Sequence, residues 1–217
     1  MANERRGTVT ETPRKVRKRE PEVLDTAARV FHERGYADAT IQDVADALGM
    51  LKGSLYYYID SKEDLLFRLL EQVHDEVDEI LTKVMDHEGS PIEVIALYAR
   101  LLAGYHLSNL VKITVYYHDV DQLSDQRRRL IYSRRRVHEE YVTGLIEAAQ
   151  RDGTADPSQP ARLLVSCVFG VLVWVYRWYR PRGQFRPEAV VDACVAFVLS
   201  GLRGDLAALD SGGVTPP

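Results

Sequence analysis

Residues 40–66 read TIQDVADALGMLKGSLYYYIDSKEDLL, and this stretch decides the fold. Its first half predicts a helix, because apolar side chains recur at the spacing of one helical face: Ile41, Val44, Ala45 and Leu48. Thr40 and Asp43 have the spacing of a capping box, so the helix is expected to begin directly after Thr40. Gly49 is expected to end it, since glycine tolerates the left-handed backbone that closes many helices.

The second half of the stretch predicts a short helix and the start of a long one. Leu55 and Ile59 anchor the short helix inward, which leaves four residues pointing partly outward with hydroxyl groups: Ser54, Tyr56, Tyr57 and Tyr58. Ser61 and Asp64 form a second capping pattern, and the long helix runs from there to about Asp86. A helix, a tight turn and a second helix form the geometry that places a recognition helix in the major groove of DNA.

A helix upstream completes this head. Its buried face contains Leu24, Ala27, Ala28 and Phe31, and Gly35 closes it. Residues 1–20 carry seven Lys or Arg against three Glu, although the whole chain has a formal net charge of -4. A basic arm on an acidic chain predicts attraction to DNA at this end, where release of counterions favours binding without sequence selectivity.

The segment from Leu24 to Leu66 resembles the N-terminal domain of TetR-family transcriptional regulators. The family pattern continues beyond the glycine turn through a set of positions that this chain largely matches: Gly53, Ser54, Leu55, Tyr56, Tyr57, Tyr58, Ile59, Ser61, Lys62 and Glu63. It departs from the pattern at Met50-Leu51, where the family usually has Val-Ser, and at Ile59, where the family has an aromatic residue. Leu51 cannot accept a backbone hydrogen bond, so the third helix is expected to lack a side-chain cap.

The resemblance implies which residues contact DNA. It implies that phosphates are held by Thr40, Tyr56, Tyr58 and Lys62, and that base edges lie near Gln42, Lys52, Gly53, Ser54 and Tyr57. A tyrosine at helical spacing is more often a half-buried packing residue. Two capping patterns and a glycine turn in one short segment favour the DNA contacts over that alternative.

The length and composition predict an all-α protein in two functional parts. The 217 residues, 46% of them hydrophobic, can bury a core, and no stretch shows useful strand alternation. We expect a basic flexible arm (1–20), a helix-turn-helix domain (21–66), a helical ligand-binding and dimerisation domain (67–204) joined to it by the long helix, and a disordered tail (205–217). The chain shows no secretory signal, phosphate-binding glycine loop or metal-ligand spacing, so we expect a cytoplasmic protein without cofactor or metal. Cys167 and Cys194 are expected to be reduced core residues.

The C-terminal part predicts further helices, with Pro91, Pro160 and Pro187 in first turns. One helix runs from Pro91 to about Leu110, a shorter one carries residues 114–118, and another runs from Ser124 to about Arg151, where Gly153 ends it. The last of these is expected to bury Leu130, Val137, Tyr141 and Leu145.

Residues 163–176, LLVSCVFGVLVWVY, are apolar on every side but too short to cross a bilayer, so no membrane partner is expected. Together with the helix from Pro187 to about Leu202, they predict a four-helix interface in a homodimer. Such a dimer would present two recognition helices to a pseudo-palindromic operator in double-stranded DNA.

A second resemblance concerns the ligand. Residues 177–181, RWYRP, resemble the C-terminal region of a TetR branch that controls fatty-acid or steroid catabolism and responds to CoA thioesters. It implies a small-molecule inducer with Trp174, Arg177 and Trp178 at a pocket mouth, and with Tyr105, Tyr116 and His118 as candidates for its wall. In the alternative interpretation the arginines end the helix against its dipole and the tryptophans anchor the dimer interface. The inducer could also be a different hydrophobic compound, drug-like or lipid.

Other functions explain less of the sequence. The arginines between Arg127 and Arg136 favour a solvated helix face paired with nearby acids, with binding of CoA phosphates as a minority role. The six histidines show no HExxH spacing and no serine lies in a nucleophile elbow, so catalysis is not expected. A helical adaptor that binds only protein would explain the apolar helices but not the head. The sequence therefore predicts a repressor that a ligand releases from its operator by tilting the long helix.

Overall fold

The computed structural model describes residues 13–204, with side chains from Arg19 onward. This part of the chain is all-helical and contains no strand. Its helices are α1 (Pro13–Arg34), α2 (Ile41–Ala47), α3 (Lys52–Leu55), α4 (Lys62–Met85), α5 (Pro91–Ser108), α6 (Leu110–Asp119), α7 (Asp125–Arg151), α8 (Ala161–Trp178) and α9 (Pro187–Arg203), with a 3-10 turn at Val120–Gln122. The chain divides into two compact units, Met1–Leu69 and Leu70–Pro217, and α4 continues from one into the other.

The first unit is the predicted three-helix head. Thr40 caps α2 with the full capping box, in which Oγ1 accepts from the backbone amide of Asp43 at 3.1 Å. Gly49 follows α2 with a φ of 63°, the left-handed value expected of it. Leu55 and Ile59 are buried, as are the α1 residues expected to form the core. These local signals confirm the predicted helix-turn-helix fold.

Helix α1 begins earlier than the sequence indicated. It starts at Pro13, so residues 13–20 of the expected flexible arm are helical. Proline fits the first turn of a helix because its missing amide has no partner there in any case. Residues 1–12, the rest of that arm, and the expected tail at 205–217 lie outside the described residues.

The second unit is built around α5, which packs against α7, α8 and α9. Its core contains the C-terminal half of the α4 stripe and the buried faces of these helices, including Val84, Ile95, Leu102, Val142, Ile146, Leu172 and Val198. Pro91 and Pro187 occupy first turns as predicted, whereas Pro160 is the residue that precedes α8. Gly153 ends α7 with a φ of 81°.

The predicted inward face of α7 is wrong by one position. Leu130 and Val137 are exposed, and Tyr141 and Leu145 are only half-buried. The buried residues are Ile131, His138, Val142, Ile146 and Ala149. Two apolar stripes run side by side on this helix, and a histidine interrupts the one that the core selects.

Helices α8 and α9 leave apolar side chains uncovered within one chain. Leu163, Trp174 and Trp178 on α8 and Phe197 on α9 are exposed. Cys167 is also exposed, which corrects its expected place in the core, while Cys194 is buried. Among the described residues, α8 is the only unbroken helix that is long and apolar enough to cross a membrane. Many core helices of soluble proteins pass the same test.

Candidate functional site

The exposed surface of the head lies on α3 and the turns around it. Lys52, Gly53, Tyr56 and Tyr57 are exposed, and Tyr57 is 75% exposed. Ser54 and Tyr58 are half-buried. The structure therefore places all the residues predicted for this helix on or near one accessible surface.

The other predicted DNA contacts lie at helix starts. Thr40 is exposed at the start of α2, and the Gln42 side chain donates to Asp46 at 2.7 Å. Lys62 begins α4, where its ammonium donates to the carbonyl of Ala37 at 3.0 Å and lies 4.3 Å from the centroid of the Tyr36 ring. These contacts hold a positive charge beside the segment that leads into α2. Ser61 Oγ accepts from the Asp64 amide as the capping pattern predicted, but the Asp64 carboxylate accepts from the amide of Asp60 instead of Ser61.

The second unit contains a small cavity among five helices, with a volume of about 50 Å³. It is lined from α4 by Val73, His74 and Val77, from α5 by Tyr98, Leu102 and His106, from α6 by Ile113, Tyr116 and Tyr117, from α7 by Arg135, His138 and Glu139, and from α8 by Phe169 and Val173. Apolar walls combined with a few polar tips are typical of small-molecule sites. Of the predicted wall residues only Tyr116 lines this cavity.

Paired histidines and tyrosines supply the polar tips. The Tyr116 hydroxyl lies 3.0 Å from Nε2 of His74, and the Tyr98 hydroxyl lies 3.0 Å from Nδ1 of His138. Burial, reinforced by the charge of Arg134, lowers the pKa of His74 to about 4. Burial is the largest cause that raises the pKa of Tyr98 and of Tyr116, and the neighbouring Tyr117 adds to it. His74, Tyr98 and Tyr116 are therefore uncharged near neutral pH. Nε2 of His138 lies 2.7 Å from the Asp78 carboxylate.

Helix α4 carries acidic residues that bond to the neighbouring helices. Arg134 of α7 donates to Asp75 at 2.7 Å and also to Asp78. Tyr105 of α5 donates to Glu76 at 2.7 Å, and Lys112 of α6 contacts the same carboxylate at 3.3 Å. Burial disfavours ionisation of Asp78, but hydrogen bonds from Arg134 and His138 outweigh it and lower its pKa. Every element that lines the cavity from α5 to α7 is thus tied to α4 by at least one charged or polar contact.

The remaining predicted ligand residues lie outside the cavity. His118 and Arg177 are exposed and bond to each other, with 3.2 Å between Nη1 of Arg177 and Nε2 of His118. Trp174 and Trp178 are exposed, and Trp174 contacts Tyr176, which stacks on the cavity residue Tyr117. Tyr105 serves the contact to α4 described above. The sequence analysis did not predict four of the cavity residues: His74, Tyr98, His106 and His138. In the sequence, each could be noticed only as a polar residue on a helical face that is otherwise apolar.

An open groove of about 760 Å³ lies between α7 and α8, and it shares Arg135 and Glu139 with the cavity. Arg136 and Arg162 line it together with Tyr132, Glu140 and Glu147. Arg136 pairs with Glu140, as predicted for this helix face, while Arg135 lies over the rings of Tyr117 and Tyr132. The cavity and the groove thus join an apolar space to a surface that carries cations.

The fold and these sites define a class of protein. The family model of bacterial regulatory proteins of the tetR family matches residues 23–69, and the model of the tetracyclin repressor-like C-terminal domain matches residues 88–202. The chain belongs to the TetR family: it is a DNA-binding transcriptional repressor with an N-terminal helix-turn-helix and a C-terminal ligand-binding domain. Regulators of this family bind operator DNA and act as dimers.

Individual relatives with known names or structures are similar to this chain over most of its length. The HTH-type transcriptional repressor KstR2 of Rhodococcus jostii is 28% identical over 189 residues, which span 85% of this chain and 91% of that protein. The structure of the ketosteroid transcriptional regulator KstR2 of Mycobacterium tuberculosis has a TM-score of 0.79 at 26% identity, covering 85% of this chain and 94% of that one. AibR, solved in complex with isovaleryl coenzyme A and operator DNA, has a TM-score of 0.76 at 26% identity, covering 82% and 97%. The names of these relatives describe regulators that act on operator DNA or on transcription, which agrees with the family assignment of this chain.

Proposed function

We propose that this protein represses transcription as a cytoplasmic homodimer and is released from its operator by an acyl-CoA thioester. The observation that carries the proposal is the position of the cavity, which α4 lines directly and whose helices α5, α6 and α7 are bonded to acidic residues of α4. Helix α4 also enters the head. A ligand that separates the cavity walls therefore acts on a helix whose first residue, Lys62, is one of the predicted DNA contacts.

The size of the cavity supports coupling between occupancy and conformation. Ligand pockets usually enclose roughly 300–1,000 Å³, whereas this cavity measures about 50 Å³. An acyl group can enter only if the lining side chains move apart, and those side chains include three on α4. A ligand shifts the equilibrium by its difference in affinity for the two arrangements, and a few kcal/mol suffices to release DNA.

The thioester class is supported by chemistry and by the relatives. An acyl chain needs an apolar space, which the cavity supplies, while a nucleotide with its phosphates needs cations and an aromatic face. The groove beside the cavity offers Arg135, Arg162 and the ring of Tyr132, and its three arginines are equalled in number by its three glutamates. The structure of AibR was solved with isovaleryl coenzyme A, and KstR2 is described as a ketosteroid regulator.

The opposite end of α8 is the second candidate place for the nucleotide. Trp174, Arg177 and Trp178 are accessible there, and Tyr176 connects them to the cavity wall through Tyr117. Substitution separates the two places. Loss of thioester response in Arg162→Met but not in Arg177→Met assigns the nucleotide to the groove, and the reverse result assigns it to the end of α8.

We propose that the operator is held by the residues the sequence indicated. Thr40, Tyr56, Tyr58 and Lys62 would contact phosphates, and Gln42, Lys52, Gly53, Ser54 and Tyr57 would lie at base edges. The dimer would form through the exposed apolar faces of α8 and α9. Exposed apolar patches of this kind are typical of surfaces that another protein buries.

Fluorescence anisotropy tests this function with labelled DNA from upstream of the protein's own gene. We expect tight binding that Tyr56→Phe combined with Lys62→Ala weakens, and release by at least one acyl-CoA but not by free CoA. Binding that the whole thioester panel leaves untouched would keep the repressor and remove the thioester, leaving a different hydrophobic inducer. Absence of DNA binding would contradict the function itself.

A further inference from the structure

His106 of α5 lies within the second unit with only 3% of its surface exposed, and it lines the cavity. Its Nδ1 atom lies 3.0 Å from the backbone carbonyl oxygen of Leu172 on α8. A carbonyl oxygen can only accept a hydrogen bond, so Nδ1 must carry a proton. The contact to Leu172 thus determines which tautomer the ring adopts.

The ring has no second proton near neutral pH. Burial lowers the pKa of His106 to about 4, although the hydrogen bond to the Leu172 carbonyl opposes this shift. A neutral imidazole has one N–H and one bare nitrogen. Because Nδ1 holds the proton, Nε2 is a hydrogen-bond acceptor.

This acceptor is not engaged by the protein. Within residues 19–204 no side chain or backbone group bonds to Nε2 of His106. Among the same residues, the only sealed side-chain nitrogen or oxygen without a partner is Oε1 of Gln72. Nε2 therefore keeps some accessible surface, and His106 is part of the cavity wall.

The Tyr117 ring lies edge-on to the His106 ring, with 6.3 Å between the ring centroids, and four other polar residues of the wall are paired with each other. Tyr116 and His74 bond to each other, and so do Tyr98 and His138. Nε2 of His106 is thus a hydrogen-bond acceptor in the cavity wall that an incoming ligand can use. A saturated chain placed against Nε2 would leave this buried acceptor without a hydrogen bond. A ketone or carboxylate oxygen is itself an acceptor, so it could not bond to Nε2 either.

We propose that the inducer carries a hydroxyl group on its acyl part, and that this hydroxyl donates a hydrogen bond to Nε2 of His106. The proposal rests on the function proposed above and specifies its ligand as a hydroxyacyl thioester. The pantetheine amides of CoA offer N–H donors of the same kind. The experiment must therefore separate an acyl hydroxyl from an amide that every CoA thioester shares.

Operator release is measured by fluorescence anisotropy with hexanoyl-CoA, its β-hydroxy and ω-hydroxy derivatives and its β-oxo derivative. One neutral hydrogen bond corresponds to about a three- to tenfold change in affinity. We expect one hydroxy derivative to release the operator at a concentration lower by about that factor than hexanoyl-CoA. In His106→Leu the advantage should disappear, while His106→Gln should retain part of it because an amide can donate to Leu172 and still accept from the ligand.

Two results would overturn the proposal. Equal responses to hexanoyl-CoA and both hydroxy derivatives would show that no acyl hydroxyl is recognised. A uniform loss of response to all thioesters in His106→Leu would assign the acceptor to the pantetheine amide. Operator affinity without ligand, measured in each variant, confirms that the protein is folded.

If no thioester releases the operator, the proposed function fails. A second measurement then tests the acceptor role of His106 without CoA. Phenol and toluene have nearly the same shape, but only phenol has an O–H donor. We expect phenol to raise the melting temperature of the wild-type protein more than toluene, and His106→Leu to reverse that order. No preference for phenol in the wild-type protein would refute the acceptor role of His106 independently of CoA.

Discussion

Leu51 occupies the position that precedes α3 but cannot cap it. Its side chain is 80% exposed and makes no capping hydrogen bond, as the sequence predicted. A serine at this position can accept from the amides of the first turn, and such caps stabilise by about 1 kcal/mol relative to alanine. We expect Leu51→Ser to raise the free energy of unfolding of the head by about that amount over Leu51→Ala. Urea denaturation of both variants checks this, and equal midpoints would show that the missing cap is inconsequential.

Buried histidines make stability depend on pH. His74 and His106 have a pKa of about 4 in the folded chain, against 6.5 when unperturbed. Below pH 6.5 the unfolded chain binds protons that the folded chain does not, so the free energy of unfolding falls as the pH drops from about 6.5 towards about 4. The loss is about 2 kcal/mol per histidine at pH 5. Denaturation at pH 7 and pH 5 should show a smaller loss for His106→Gln, and an unchanged loss would contradict a neutral buried ring.

The elements differ in how well the sequence predicted them. The head was predictable because its signals are local: Thr40 and Asp43 are three residues apart, and Gly49 acts through its own backbone. The cavity was not, since it joins residues distant in sequence, such as His106 with Leu172 and His74 with Tyr116. For α7 the periodicity allowed two stripes, and only packing against α5 and α8 selects the one that contains His138.

The contact from α7 to α4 yields a prediction about signalling. Arg134 bonds to Asp75 and Asp78 on α4, whereas Arg128 forms its ion pair within α7, with Asp125. We expect Arg134→Met to reduce the factor by which a thioester weakens operator binding by about fivefold, with a stability loss of about 1 kcal/mol because the pair is partly exposed. The matched control Arg128→Met should keep the full factor. Anisotropy titrations measure both, and equal factors would exclude this contact from the coupling.

The exposed faces of α8 and α9 yield a prediction about assembly. Phe197 on α9 is 68% exposed and Met85 at the end of α4 is 61% exposed, so a charge at either position costs a single chain little. We expect Phe197→Glu to convert the dimer to monomers and weaken operator binding at least tenfold, since a buried unpaired charge disfavours an apolar interface. Met85→Glu should leave both unchanged. Sedimentation velocity measures the oligomeric state of both variants. A Phe197→Glu variant that is still a dimer would place the interface elsewhere.

At the scale of the whole molecule, the proposed function requires one coupling between ligand and operator. In that proposal the acyl group opens the cavity in the second unit, α4 shifts, and the head releases the DNA. Thermodynamic linkage requires the coupling to be reciprocal, so the factor by which a thioester weakens operator binding must equal the factor by which the operator weakens thioester binding.

Isothermal titration calorimetry of an operator-releasing thioester, with and without saturating operator DNA, measures this coupling directly. We predict weaker thioester binding in the presence of DNA, by the same factor that anisotropy gives for operator release. Equal thioester affinity in both titrations would contradict it, because a ligand that binds both states equally well cannot move the protein between them.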